Sequence, residues 1–191
     1  MIKTYRPTSP GTRGRKSLVI KATRTKPEKS LVTPLNGASG RSGGRITTRH
    51  KQRGAKKNYR MVDFKRDKRD IPAKVASIEY DPNRGPNIAL LYYVDGEKRY
   101  ILAPEGLEVG QEVSAGEKVE LNVGNALPMD KIPLGEFIHN VEINPGQGGI
   151  LARGAGNSSQ ILAKEGKHVN IKLPSGEVKR VLASCYATIG P

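Results

Sequence analysis

The 191 residues contain no Trp, two Phe and one Cys. A lone Cys185 cannot close an internal disulfide, so nothing argues for an oxidising compartment. The three His, at positions 50, 139 and 168, stand far from it and from each other without ligand spacing, which argues against a metal centre; no cofactor is expected. No apolar run approaches the roughly 18–20 residues that cross a bilayer, and no apolar signal segment follows the basic N-terminus. A soluble cytoplasmic chain without a membrane partner is the expectation. Carboxylates are scattered and no nucleophile and base share a known signature. We therefore assign no catalytic residue, expect no small-molecule substrate and do not read the chain as an enzyme.

The most informative shortage is of acid. Residues 1–69 hold 21 of the 33 Lys and Arg but only Glu28, Asp63 and Asp67 as acids, a net charge of +18; the other 122 residues hold 12 bases against 15 acids. Positive charge this concentrated repels itself unless a polyanion neutralises it, and nucleic acid carries phosphates at the matching density. Residues 1–60 also include Pro7, Pro10, Pro27, Pro34 and the tract Asn36 to Arg45, rich in Gly and Ser. With few large apolar side chains to offset ordering entropy, this leader is expected not to fold alone but to thread through RNA.

Beyond Asp70 the texture changes to short strand-like runs. Lys74–Tyr80 and Ile88–Val94 are followed by Lys98–Ala103, with Asp95-Gly96 as a two-residue hairpin signal. Val119–Val123 alternates with period two, as a half-buried strand does. After a Pro-rich joint at Pro128–Pro133 come Phe137–Ile143, Ser159–Ala163, the alternating Val169, Ile171 and Leu173, and Val178–Ala183; Glu165-Gly166 and Ser175-Gly176 read as hairpin tips. No segment sustains a helical period. Two sets of short strands imply an all-β chain of two small barrels, since closure disposes of sheet edges. The expected division is a basic, irregular N-terminal extension (1–60), an OB-like barrel (61–125) and an SH3-like barrel (126–191).

Candidate RNA-binding residues follow the charge. Arg45, Arg49, His50, Lys51, Arg53, Lys56, Lys57 and Arg60 fall in a stretch with no acid, where small neighbours let the backbone approach phosphates and where Tyr59 or His50 can stack on an unpaired base. Lys65, Arg66, Lys68 and Arg69 lie next to the first strand, where a rigid barrel can hold them. Gly146–Gly149 and Arg153–Asn157 fail the test for a nucleotide-binding loop, because no Gly-Lys-Ser/Thr follows. They read equally as tight turns or as bare backbone packed on RNA with Arg153 on a phosphate.

Seven ordered blocks, Tyr5–Gly11, Gly44–His50, Tyr59–Arg66, Glu79–Arg84, Arg99–Pro104, Asn125–Met129 and Gly148–Gly156, closely resemble the bacterial-type large-subunit ribosomal protein L-two family. The resemblance implies the same two barrels with extensions threaded through large-subunit ribosomal RNA. It also implies roles in subunit assembly, in association with the small subunit and in supporting the peptidyl transferase region, with other ribosomal proteins as partners. The location implied is a ribosome, cytoplasmic or organellar. Family RNA contacts, carried onto matching positions, fall on Arg66, Lys68, Arg84 and Arg153.

Two departures stand out. After Thr47-Thr48 the family reads Arg-His-x-Gly-Gly-Gly-His-Lys, whereas Arg49 to Lys56 here loses two glycines and the second His, which implies rearranged contacts. The family also continues past the position of Gly190-Pro191 into a Gly/Pro/Arg-rich extension whose His lies near the catalytic centre. No residue here matches that His, which leaves a fragment, a truncation or a tail outside this sequence. The alternative function is a general OB/SH3-like nucleic-acid-binding module outside the ribosome. Duplex DNA competes with large-subunit RNA nearly one for one in that case, and poorly if the chain is ribosomal.

Overall fold

The structure, a computed structural model, describes residues 2–19, 22–35, 40–50 and 55–191. The leader contributes only short ribbons. β1 (Ile2–Thr4) pairs antiparallel with β2 (Lys16–Leu18). A 3-10 turn over Lys29–Leu31 leads into β3 (Val32–Pro34). β4 (Arg41–Ser42) and β5 (Arg45–Ile46) form a hairpin. β6 (Asn58–Arg60) then returns to pair with β3.

The first barrel is a four-stranded antiparallel sheet of β7 (Ala73–Glu79), β8 (Ile88–Tyr93), β9 (Lys98–Leu102) and β10 (Glu112–Val113), in the order β10-β7-β8-β9. The second has six strands: β11 (Ala126–Pro128), β12 (Phe137–His139), β13 (Ser159–Glu165), β14 (His168–Lys172), β15 (Val178–Leu182) and β16 (Tyr186–Ile189), ordered β11-β16-β12-β13-β14-β15. The chain is thus all-β, an OB-like barrel followed by an SH3-like barrel. Each unit closes over its own apolar core. Ala73, Val75, Ala89, Leu91, Tyr93, Ile101 and Val113 fill the first; Leu127, Met129, Ile132, Ile138, Ile161, Val169, Ile171 and Ile189 fill the second.

A bulge in β7 decides what the leader meets. Register slips between Val75 and Ser77, so Ala73 and Val75 point to the core while Ser77 and Glu79 emerge on the opposite face. There Glu79 is only 2% exposed, and its carboxylate accepts hydrogen bonds from Ser77 Oγ (3.0 Å) and the Tyr100 hydroxyl (2.8 Å). That hydroxyl in turn accepts the Glu28 N–H at 2.8 Å. Leu31 and Val62 pack over Ile88, Leu90 and Tyr100 on the same face. Thr23 exchanges hydrogen bonds with Ile78: its N–H donates to the Ile78 carbonyl (2.8 Å), and its Oγ1 accepts the Ile78 N–H (2.9 Å). The part of the leader from Thr23 to Pro34 therefore lies against the first barrel, tied by buried polar groups.

Four strand expectations are corrected by the structure. Val119–Val123 is not a strand: the Asn125 side chain takes the Ser114 N–H (2.8 Å) and donates to the Glu120 carbonyl (2.9 Å), so a side-chain amide satisfies this backbone in place of a ladder. The turn at Asp95-Gly96 is a three-residue loop. Gly96 (φ +86°) donates to the Tyr93 carbonyl and Tyr93 to the Glu97 carbonyl, which makes Gly96 the left-handed residue of a bulged hairpin, not part of a primed turn. Phe137–Ile143 breaks at Asn140, whose φ is +50°. β16, unforeseen, sits between β11 and β12 with all four residues buried. A strand covered on both faces shows no alternation to read.

The barrels meet along the chain segment before β7. Asp63 donates its N–H to the Tyr100 carbonyl (2.8 Å), and Gly149 donates to the Phe64 carbonyl (2.8 Å). Beside this contact His139 is 5% exposed, and its Nδ1–H donates to the Gly190 carbonyl at 2.7 Å. Burial drives the His139 pKa down to about 4; the Gly190 bond opposes this and the Arg66 charge adds to it.

Two outcomes follow from these contacts. Tyr100→Phe strands Glu79 Oε2 and the Glu28 N–H, and is expected to cost about 1–3 kcal/mol with faster amide exchange over Glu28–Leu31. His139 is neutral when folded, so its contribution is complete above its unfolded pKa of about 6.5 and is lost as pH falls toward 4, roughly 3 kcal/mol in all. His139→Asn keeps an N–H donor and should flatten the acid limb of a denaturant-midpoint-against-pH curve over that window.

Candidate nucleic-acid interface

The leader cations face solvent. Arg45 lies on β5, Arg49 and His50 in the turn after it, and Lys56 and Lys57 immediately before β6; all five are exposed. His50 adopts a φ of +63°. None of the five joins an ion pair among the described residues. Lys51 and Arg53, expected as partners of this set, lie outside the described residues.

A second group of cations is assembled by the junction. Asp63 Oδ1 accepts the N–H groups of Lys65 (3.0 Å) and Arg66 (2.9 Å), closing a tight turn in which Arg66 has a φ of +52°. The turn exposes the Phe64 carbonyl to Gly149 N–H and to Asn140 Nδ2 (3.2 Å). Only glycine fits at 149, since a Cβ there would lie 2.2 Å from Asn140 Oδ1 and 2.3 Å from its carbonyl oxygen. Glu142, 2% exposed, holds the loop from behind by accepting the N–H groups of Gly146 (3.3 Å), Gly148 (2.9 Å) and Tyr186 (3.0 Å). Arg66, Asn140 and Ala152 supply three of the five non-glycine positive φ values among the described residues, so backbone strain gathers where the barrels touch.

Guanidinium groups and aromatic rings alternate across this junction. Arg153, from the second barrel, lies 4.6 Å over the Phe64 ring. Arg84, from the loop between β7 and β8, lies 5.5 Å from Phe64 and 5.6 Å from Tyr59. Arg84 is aimed by Asp81, a fully buried carboxylate that accepts Arg84 Nε at 2.6 Å and the Asn83 N–H at 2.9 Å. The result is a continuous row, Tyr59, Arg84, Phe64, Arg153, drawn from three chain segments and both barrels. Lys65 stays exposed next to it, and a Cβ on Gly148 would come within 3.0 Å of its side chain. Arg69 is exposed, 4.5 Å over the Tyr186 ring.

Three expected contacts turn inward. Arg60 is 8% exposed, 3.8 Å from Asp81 Oδ1. Arg66 is 3% exposed; its Nη2 donates to the carbonyls of Ser114 and Gly124, both at 3.3 Å, and burial lowers its pKa. Lys68 is drawn into Asp95 and Glu97 and lies 4.6 Å over Tyr93. Desolvation works against its charged form, but the hydrogen bonds it donates to Asp95 and Glu97 prevail and raise its pKa.

The sequence reading passed over Phe64, Asp81, Glu142 and Arg99. Arg99 binds Asp63 (2.9 Å), Asp67 and Glu97 (2.6 Å), and those bonds raise its pKa against the cost of desolvation. One signal was available for Asp81: Asp-Pro-Asn-Arg is a turn sequence that puts a carboxylate three residues ahead of a guanidinium. Nothing in the sequence marks Glu142, because its partners are backbone groups.

Cations, bare backbone and aromatic faces are the groups with which proteins meet the phosphates and bases of nucleic acids. No cluster of three or more His, Cys, Asp or Glu among the described residues is placed to hold a metal, and no described helix is long and apolar enough to cross a membrane. A family model described as Ribosomal Proteins L2, RNA binding N-terminal domain, matches residues 28–115, and another described as Ribosomal Proteins L2, C-terminal domain, matches residues 122–191. The first takes in the docked leader from Glu28 onward and the OB-like barrel, the second the SH3-like barrel and Arg153. With both barrels matched in order, the chain belongs to the Ribosomal Proteins L2 family.

Proposed function

We propose that the chain works by clamping large-subunit ribosomal RNA at the inter-barrel junction while its leader threads between RNA strands. It is a structural ribosomal protein that binds ribosomal RNA. In our reading Arg153, Arg84, Lys65 and Arg69 meet phosphates from the barrels, and Arg45, Arg49, His50, Lys51, Arg53, Lys56 and Lys57 do so from the leader. Arg60, Arg66 and Lys68 serve by holding the frame. The observation that carries this is the row of alternating rings and guanidinium groups spanning both barrels next to the acid-free stretch of the leader from Arg45 to Arg60.

The wider role we propose is support of subunit assembly, of association with the small subunit and of the peptidyl transferase region, alongside other ribosomal proteins. The setting is a ribosome of the cytoplasm or an organelle, and the contribution is to architecture and not to turnover. The working division of the chain stays 1–60, 61–125 and 126–191, with Thr23–Pro34 and Asn58–Arg60 as the part of the leader that lies on the first barrel.

Filter binding to a large-subunit RNA fragment across a salt series tests the site. Arg153→Ala, which removes an exposed side chain, is expected to weaken binding about tenfold and to make the log-affinity against log-salt slope less negative by about 0.7–0.9. Arg84→Ala should act likewise, with a loss of thermal stability from the released Asp81. Lys68→Ala should stay within twofold of wild type. Unchanged affinity in Arg84→Ala/Arg153→Ala would rule out the junction as the contact.

A further inference from the structure

We infer that the exposed end of this row, Tyr59, is a stacking platform for an unpaired RNA base, so that the junction selects RNA with a nucleotide out of helix beside its phosphates. This deepens the proposed function and rests on it. The ring of Tyr59 carries Arg84 at 5.6 Å, and the residue is still 36% exposed. β6 holds it rigidly: Tyr59 pairs with Thr33 across the ribbon, and the Asn58 carbonyl accepts Asn83 Nδ2 at 2.7 Å from the loop that carries Arg84. The ring is thus fixed relative to Arg84 before any ligand arrives, and a preset platform avoids the ordering cost a mobile ring would incur on binding.

Charge points to the occupant. Lys56 and Lys57 lie immediately before the strand that carries the ring, and Arg84 and Arg153 follow along the row. Asp81, the acid behind Arg84, is fully buried and already engaged by Arg84 and Arg60. A polyanion with planar groups complements a flat apolar ring set among cations. A duplex keeps its bases stacked inside and can offer only phosphate, whereas an unpaired nucleotide offers both a face and a charge. Arg84 then lies next to the base stack as a guanidinium sandwiched between Tyr59 and Phe64, and Arg153 meets the adjoining phosphate. The inner members of the row have rings or guanidinium groups on either side, so Tyr59 is the member left to extend the stack.

The test uses the full chain with two RNA probes of matched length, a single-stranded oligonucleotide carrying 2-aminopurine at its centre and the corresponding duplex. Wild type and Tyr59→Phe should quench the fluorophore on binding the single strand. Tyr59→Ala and Tyr59→Leu should lose that quench and bind the single strand about 5- to 50-fold more weakly, with the salt slope unchanged and duplex affinity within twofold. Tyr59→Leu keeps apolar bulk on β6, so a loss shared by both variants with wild-type thermal unfolding is not a folding defect. Retained quench and affinity in Tyr59→Ala would overturn the inference. So would equal losses for single strand and duplex, the mark of a ring that merely steadies Arg84. Arg153→Ala separates the two levels: if it weakens both probes while Tyr59→Ala weakens neither, only the stacking role fails, and if neither variant changes any affinity, the junction reading fails with it.

Discussion

The hydrogen bond from Gly149 N–H to the Phe64 carbonyl is the contact on which the rest of the arrangement depends. It joins the turn before the first barrel to a loop of the second, and it forms only because residue 149 has no side chain to strike Asn140. Closing that distance brings Arg153 over Phe64 and completes the row that begins at Tyr59. A backbone bond of this kind contributes only about 1 kcal/mol by itself. Its larger effect is geometric, because it fixes where a flexible guanidinium can reach.

The acids around the leader and the junction serve architecture. Asp81 aims Arg84 and draws in Arg60; Asp63 closes the turn at Lys65 and Arg66 and also binds Arg99; Glu28 and Glu79 hold the docked leader, with Arg24 and Lys98 alongside. Exposed ion pairs contribute little to stability. Buried carboxylates act differently, since an unpaired charge is costly there and each therefore dictates its partner's position. What remains, from Arg45 to Lys57, is positive charge with no internal counterpart among the described residues, and its counterion has to come from outside the chain.

Much of the fold was legible because its strands are short apolar runs bounded by turn residues. Lys74–Tyr80, Ile88–Val94, Lys98–Ala103 and Val178–Ala183 differ from the observed β7, β8, β9 and β15 by a residue at one or both ends. Legibility failed where periodicity and burial part company. Val119–Val123 alternates yet turns because Asn125 satisfies its backbone, and β16 does not alternate yet pairs on both sides. In β7 and β13 a bulge reverses the parity midway, which no count of alternating residues reveals. Among the candidate site residues, charge located the blocks, but it did not distinguish an exposed Arg153 from a buried Arg66.

Composition and order alone determined that this chain is all-β beyond residue 70, that its first third is a cation-rich leader, and that its partner is a polyanion. Those properties are sums over residues, and sums survive any folding. Tertiary structure decided which cations are available. Arg60, Arg66 and Lys68 find carboxylates or carbonyls that fold-back brings within reach, Arg84 is held half-buried by Asp81, and Arg153, 69 positions further along the sequence, stays exposed over the ring that Arg84 also faces. Availability is a pairwise property set by distances in space, and distances between remote residues exist only once the barrels have closed and docked.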